Sequence, residues 1–306
     1  MRYNNFSAYM RARYGKNLEK ICLDGGFTCP NRDGKCGVGG CIFCGERGAG
    51  EHIGGKIDLS SQVAAFFRAR PKVKGAIAYF QNFTSTYAPV EVLKEKYLSA
   101  LCDDRIVALA IGTRPDCIDG EVADLLLELS SRVDVWVELG LQTASDDTAR
   151  RVNRGYETSE FERAYDLLHS RGIGVVAHMM IGLPGEGRRE IAETLSYLNR
   201  FELFGIKLHS VYVMRDTPLE QMFLRGEYTP LSLDEYVEYA LFVLTHLPPH
   251  LTVHRLTGDC RRDLLVAPAW SADKNTVLRK ICDAIEEQNL TQGCLYGRDF
   301  SDFCKE

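Results

Sequence analysis

Short apolar runs rich in β-branched residues alternate along the chain with stretches whose apolar positions recur every three to four residues. The runs occupy residues 18–24 (LEKICLD), 75–80 (GAIAYF), 106–112 (IVALAIG), 133–140 (VDVWVELG), 174–182 (GVVAHMMIG) and 205–213 (GIKLHSVYV). Between them lie SSQVAAFFRAR, PVEVLKEKYLSALC, GEVADLLLELSS, SEFERAYDLLHSRG, GRREIAETLSYLNRF and SLDEYVEYALFVLTHL. Unbroken apolar runs of this length predict strands buried on both faces, and the periodic stretches predict amphipathic helices. Six strand–helix units predict an α/β fold with parallel strands, a partial (βα)6 TIM-like barrel in preference to a doubly wound sheet. The reason is the position of the polar clusters. QNFTST, TRPD, LQT and GLPGE each follow the C-terminal end of a strand, where βα barrels carry their chemistry. Past residue 250 the pattern changes. LTVHRLTGDCRRDLLVAPAW reads as a strand, a loop and a cap, followed by a last helix. The expected organisation is a barrel of residues 1–250 and a C-terminal extension of residues 251–306 that caps it.

Composition narrows this picture. The chain has 306 residues, 45% of them hydrophobic, enough for one large domain with an appendage. Its basic, aromatic N-terminus lacks the apolar segment of a secretory signal, and no run of eighteen apolar residues occurs. A cytoplasmic protein without membrane association is expected. Net charge is −5, yet three stretches are locally basic. They are Arg2, Arg11, Arg13, Lys16 and Lys20 against Glu19; Arg68, Arg70, Lys72 and Lys74; and Arg255, Arg261, Arg262, Lys274, Arg279 and Lys280. Such runs are usually solvated faces; three of them permit a polyanionic partner without requiring one.

The eleven cysteines are odd in number, which argues against a disulfide framework in a chain without an export signal. Cys22, Cys102, Cys117, Cys260, Cys282, Cys294 and Cys304 stand apart and read as small hydrophobes. Residues 25–49 are different: four cysteines and eight glycines share one loop. Three readings are open. Cys29 and Cys36 facing Cys41 and Cys44 would make a zinc knuckle, although the first gap is wide for one. All four thiolates would close an iron–sulfur cluster. Three of them, with Cys36 left out, would hold a cluster with one iron open to a ligand. Glycines at 37, 39, 40 and 45 let backbone N–H groups approach sulfur, and Phe43 between the last two cysteines either shields the site or simply packs.

Several blocks in order resemble a known family. GFTCPNRDG…GGCIFC is similar to the radical S-adenosylmethionine (SAM) enzymes of the YhcC/YtqA type, as is TGDCRRDLLVAPAW. TRPDC, VELGLQTASDDTARRVNRGYE, VVAHMMIGLPGE and GIKLHSVYVMRDTPLEQMFLRGEY resemble the radical SAM half of the Elongator catalytic subunit. The resemblance covers about residues 15–285. It implies a [4Fe–4S] cluster held by Cys29, Cys41 and Cys44, with SAM chelating the fourth iron and Cys36 not a ligand. One electron, from a donor such as flavodoxin or ferredoxin, then cleaves SAM to methionine and a 5′-deoxyadenosyl radical that takes a hydrogen atom from substrate. Carried over position by position, Gln81 and Asn82 lie where backbone carbonyls meet the SAM amino group, and Gln142 and Arg154 where ribose and carboxylate are held. His178 matches a ribose-binding position or is a satisfied core histidine. Gly112 stands where relatives carry a carboxylate; Glu138 either compensates or pairs with an arginine inside the barrel. Lys207 shares a strand face with His209 and is expected to touch SAM or substrate, as the one catalytic side chain. GLPGE is expected near adenine.

For the substrate, the resemblance implies tRNA. The Elongator subunit modifies the wobble uridine at carbon 5, and no stretch after residue 286 corresponds to its acetyltransferase half. Trimming of a carboxymethylaminomethyl group already on uridine is therefore expected, with the basic N-terminus and basic tail flanking the barrel mouth and holding RNA. The alternatives are a radical SAM enzyme on a small metabolite or cofactor precursor, and a non-catalytic iron–sulfur or zinc protein.

Overall fold

Seven strands hydrogen-bond side by side in the order β1-β2-β3-β4-β5-β6-β8, every pair parallel. They are β1 (Glu19–Leu23), β2 (Ala76–Phe80), β3 (Ile106–Thr113), β4 (Asp134–Gln142), β5 (Gly174–Ile181), β6 (Gly205–Ser210) and β8 (Thr252–Arg255); β7 (Val213–Met214) pairs instead with β9 (Leu265–Ala267), antiparallel. The helices are α1 (Phe6–Tyr14), α2 (Leu59–Ala69), α3 (Val90–Ala100), α4 (Gly120–Ser130), α5 (Asp146–Arg151), α6 (Ser159–His169), α7 (Arg188–Leu198), α8 (Pro218–Leu224), α9 (Leu233–His246), α10 (Lys274–Glu287) and α11 (Ser301–Cys304). This computed structural model describes residues 2–46, 48, 58–258 and 260–305. Arg47 and Ala49 of the cysteine loop and Asp259 of the TGDC stretch lie outside the described residues. The fold is a partial TIM-like barrel of the α/β class. It has one strand more than the six repeating units, because the run at the start of the C-terminal extension joins the main sheet as β8.

Alternation along the strands separates two cores. On β4, Val135, Val137, Leu139 and Leu141 join the layer packed under the helices, as do Ala76, Ala78 and Phe80 of β2. The intervening residues point inward. Ile77, Tyr79, Ala108, Ala110, Trp136 and Val176 form an inner cluster, closed from below by Phe6 and Met10 of α1. The Phe6 ring stacks on His254 at 3.9 Å and meets Trp136 edge-on at 5.7 Å. Asn5 caps α1 by accepting from the backbone N–H groups of Ser7 and Ala8, and Gly15 ends it in the left-handed region at φ 67°.

The plug formed by α1 revises one expectation. Arg13 forms a two-pronged ion pair with Asp134, the first residue of β4, at 2.5 and 2.7 Å. Tyr14 donates to the Val107 carbonyl near the start of β3, and Lys16 to the Lys74 carbonyl before β2. The basic N-terminus therefore sits at the N-terminal ends of the strands. It does not flank the mouth, because the apolar face of α1 buries against the inner core there.

At the other end, the run 205–213 breaks in two. Its last residues leave the sheet and form β7, with Tyr212 at the turn. β7, β9 and α8 build a lid over the C-terminal ends, where Val211, Val213, Leu219 and Ala267 pack with Ile42 of the cysteine loop. The Leu219 amide donates to the Ile42 carbonyl at 3.0 Å, and the Ile42 amide to the Val152 carbonyl at 3.0 Å. No described helix is long and apolar enough to cross a membrane.

Candidate active site

A cavity opens at the C-terminal ends of the strands. Its walls include Cys29, Cys41 and Cys44 from the loop after β1, Gln81 and Phe83 after β2, and Gly112–Arg114 at the end of β3. Glu138 and Gln142 of β4, His178 of β5, His209 of β6 and Arg255 of β8 complete it. Polar side chains from seven strands thus meet where the backbone pattern of a parallel barrel directs them.

The cysteine wall is held by Asn31, a fully buried residue. Its Nδ2 donates to the Asn153 carbonyl at 2.6 Å and lies 3.9 Å from Cys41 Sγ. The Gly40 amide donates back to the Asn31 carbonyl at 2.8 Å. Gly37 and Gly155 leave the room that Asn31 needs: a Cβ on either would come within 2.2 and 2.7 Å of Asn31 Oδ1. A hydrogen bond from the Cys44 thiol, opposed by burial, pushes Cys41 down, and Arg114, Asn31 and Arg154 act in the same direction. A thiol beside two guanidinium groups and an amide N–H is a thiolate ligand in waiting. Cys36 faces elsewhere. It is exposed, and its thiol lies 3.8 Å from Asp116 Oδ2; burial and Asp116 push it up. The four-thiol arrangement of a zinc knuckle or a closed cluster is not formed, whereas the three thiols on the cavity suit an open iron–sulfur cluster.

The floor is a buried charge network. Glu138 is completely buried. Its Oε2 accepts from Tyr79 at 2.7 Å and from Lys207, and lies 3.1 Å from His178 Nε2. Burial opposes the charge on Glu138, but Lys207, His178 and Lys20 outweigh it and hold the carboxyl well below its usual range. Lys207 also donates to Tyr79 at 2.9 Å, and burial pushes its ammonium down to about 7 against the pull of Glu138. Glu138 Oε1 and His209 Nε2 are buried without any hydrogen-bond partner. Burial, with His178, Arg255 and Lys207, holds His209 well below its ordinary value.

Above the floor, two arginines brace the end of β4. Arg154 is fully buried; it donates to the carbonyls of Leu141, Thr143 and Tyr156 and to Asp146 and Thr158. Arg114 grips Asp116 with two bonds and reaches the Arg154 and Gly155 carbonyls. Both guanidiniums lie over the Tyr156 ring, at 4.6 and 4.5 Å. This bracing holds Gln142 at φ 69°, a backbone conformation a side chain adopts only when its surroundings enforce it.

Each expected site residue has a definite place. Cys29, Cys41, Cys44, Gln81, Glu138, Gln142, Arg154 and His178 all line the cavity. Lys207 does not: it lies beneath the floor, 2% exposed, locked to Glu138 and Tyr79. It touches no cavity surface, and Glu138 pairs with this lysine instead of an arginine. Arg154 lines the wall, but its donors serve backbone carbonyls and two side chains of its own segment, so it shapes the site instead of offering a free fork to a carboxylate. Asn82 is buried and does not line the cavity, and its carbonyl accepts from Ser85. At Gly112 a Cβ would meet the Phe80 carbonyl at 3.2 Å, so no side chain replaces the missing carboxylate. The sequence reading missed Asn31, Arg114 and Tyr156 as supports and Tyr79 and Arg255 on the floor. Their signal is parity: Tyr79 alternates with apolar outward neighbours on β2, as Glu138 does on β4.

A model of the Radical SAM superfamily matches residues 30–198, and one of the Radical_SAM C-terminal domain matches residues 204–287. Uncharacterized protein YtqA of Bacillus subtilis is 40% identical over 301 residues, spanning 97% of this chain and 94% of that protein. Protein YhcC of Escherichia coli is 36% identical over 296 residues, 96% of each. Among solved structures, the archaeal Methanocaldococcus infernus Elp3 with an N-terminal deletion shares the fold at a TM-score of 0.66 and 20% identity. That match covers 76% of this chain and 59% of the Elp3 chain.

Proposed function

The chain belongs to the radical SAM superfamily, and from that premise we propose that it trims a carboxymethylaminomethyl side chain on the wobble uridine of tRNA. As a radical SAM enzyme it uses a [4Fe–4S] cluster and SAM. Bound there, they supply a 5′-deoxyadenosyl radical able to take a hydrogen atom from a substrate C–H bond. Cys29, Cys41 and Cys44 are the residues to hold the cluster, and the observation that carries this assignment is that these three thiols, without Cys36, share one cavity.

The protein's own part is positioning and shelter. Asn31 ties the cysteine loop to the segment that follows α5. Arg114, Arg154 and Tyr156 stiffen the wall that presents Gln142. The Tyr79–Glu138–Lys207–His178 network fixes the floor, and Phe43 and Phe83 supply apolar wall against water. The tRNA reading is supported by the likeness to the Elongator subunit and by the position of the basic tail. Arg255 faces the cavity, and Arg261 and Arg262 stand on the loop that follows β8 and leads into the lid strand β9. A cytoplasmic address and a flavodoxin or ferredoxin as one-electron donor belong to the same reading.

Anaerobic reconstitution with iron and sulfide, then dithionite and SAM, tests the class of reaction. 5′-Deoxyadenosine is expected, and its yield should rise with tRNA carrying carboxymethylaminomethyluridine. No cleavage of SAM by protein holding about four irons per chain would sink the enzyme reading; cleavage that no tRNA stimulates would sink the substrate.

A further inference from the structure

The cavity floor presents polar groups that the protein leaves without partners. Glu138 Oε1 and His209 Nε2 are buried and unpaired, on residues that line the cavity. Arg255, at the end of β8, lines the same cavity and has no hydrogen-bond or ion-pair partner among the described residues. Arg154, by contrast, has all five donors filled, and Arg114 makes four hydrogen bonds to the protein. Behind this floor Lys207 is locked to Glu138 Oε2, and Lys20 lies 5.3 Å from the Tyr79 ring centre. Burying an acceptor and an imidazole nitrogen unpaired is unfavourable unless a ligand completes them, and the half-buried Arg255 guanidinium stands beside them on the cavity wall.

We propose that this floor is a receptor for a zwitterionic arm of the substrate, in which Arg255 and His209 hold a carboxylate and Glu138 Oε1 accepts from a neighbouring ammonium. The proposal rests on the reading of the substrate as an aminoalkyl uridine and narrows it to the arm that still carries its carboxymethyl group. A planar guanidinium grips a carboxylate through two parallel bonds. His209, kept neutral by its surroundings, adds an Nε2–H donor without a further charge. Lys207 holds Glu138 ionised, and its second oxygen is an acceptor left without a partner on a residue that lines the cavity. A secondary ammonium with a neighbouring carboxylate carries the two charges that complement these groups. The trimmed product lacks the carboxylate, leaves Arg255 unpaired and binds more weakly, so the same contact favours substrate over product.

The test uses the reconstituted protein with SAM and two nucleosides that differ by the carboxymethyl group on the side-chain nitrogen: 5-carboxymethylaminomethyluridine and 5-aminomethyluridine. Equilibrium binding should favour the former by about ten-fold or more. R255Q should abolish that preference while leaving SAM affinity and 5-aminomethyluridine binding within about two-fold, and R255K should retain part of it. A preference that survives in R255Q overturns the proposal. So does a loss of SAM affinity in R255Q, which would give the guanidinium to the carboxylate of SAM. If neither nucleoside binds, the uridine reading fails separately, and N-methylglycine becomes the probe. Its binding to the wild type and loss in R255Q keep the zwitterion receptor; no binding overturns it.

Discussion

Cys36 and Cys41 belong to the same loop, yet their surroundings differ in a way that substitution can read. Cys41 faces the cavity beside Asn31, while Cys36 lies next to Asp116 in solvent. Cys41→Ala should leave reconstituted protein without its brown colour and its EPR signal, whereas Cys36→Ala should keep iron near four per chain. Equal loss in both variants would restore Cys36 as a ligand. At this scale the sequence was informative where residue type and spacing carry the chemistry. The three cysteines, Gln142, His178 and Glu138 reach the cavity because each sits at a strand end or on the inward parity of a strand. Lys207 has the same parity, but depth along the strand decides between floor and foundation, and depth is not written in alternation. Arg154 was legible as a cavity residue; that its five donors turn back onto nearby backbone and side chains and hold Gln142 in a left-handed turn is a feature no local pattern announces.

Individual elements carry their own titration. Glu186, in the turn leading into α7, packs against Thr143 and Thr148, and burial pushes its carboxyl up to about 7 despite hydrogen bonds from both threonines. Its Oε1 is buried without a partner. Between pH 4.5 and 7 the folded chain therefore holds a proton that the unfolded chain has released. Unfolding free energy falls as pH rises through that window and stays lowered above it. Each pH unit is worth about 1.4 kcal/mol, and with the partial exposure of the side chain the sum is on the order of 2 kcal/mol. Glu186→Gln should recover that amount at pH 8 and flatten the slope, as read by urea unfolding of iron-free protein at pH 5 and pH 8. Parallel slopes for variant and wild type would show that Glu186 titrates normally. The element pattern itself was readable because buried parallel strands are continuous apolar runs. The break of 205–213 into β6 and β7 was not, since an apolar strand and an apolar lid look alike until a partner such as Ile42 is in view.

Across the whole molecule, the basic stretches fall at opposite ends. Arg13 and Lys16 lie below the barrel with Arg70, Lys72 and Lys74, which line one hollow together with Lys16. Arg255 and the loop carrying Arg261 and Arg262 lie at the mouth. If tRNA enters there, replacing Arg261 and Arg262 with Gln should weaken its binding several-fold and reduce the salt slope by about two. The same change at Arg70, Lys72 and Lys74 should leave both untouched; the reverse outcome would place the RNA at the base. Charge runs alone could not make this distinction, because the plug formed by α1 is a tertiary event between residues 5–14 and the strands' inner face.

That plug also ties residues 2–5 to segments far along the sequence. Asn5 bridges to Val253, whose amide donates to the Asn4 carbonyl at 2.8 Å. Gln292 accepts from the Asn4 amide and donates to the Pro248 and Leu251 carbonyls, while its own amide reaches the Arg2 carbonyl. The outer rim of β8, which would otherwise offer unpaired amides to another molecule, is thus sealed by residues some 250 positions away in sequence. Contacts of such wide sequence separation close late and slowly. Residues 4 and 5 have no rim to dock on until β8, some 250 positions along, is in place. A folding chain of this protein therefore carries an unsealed sheet margin until those distant segments meet, open for that time to pairing with another molecule.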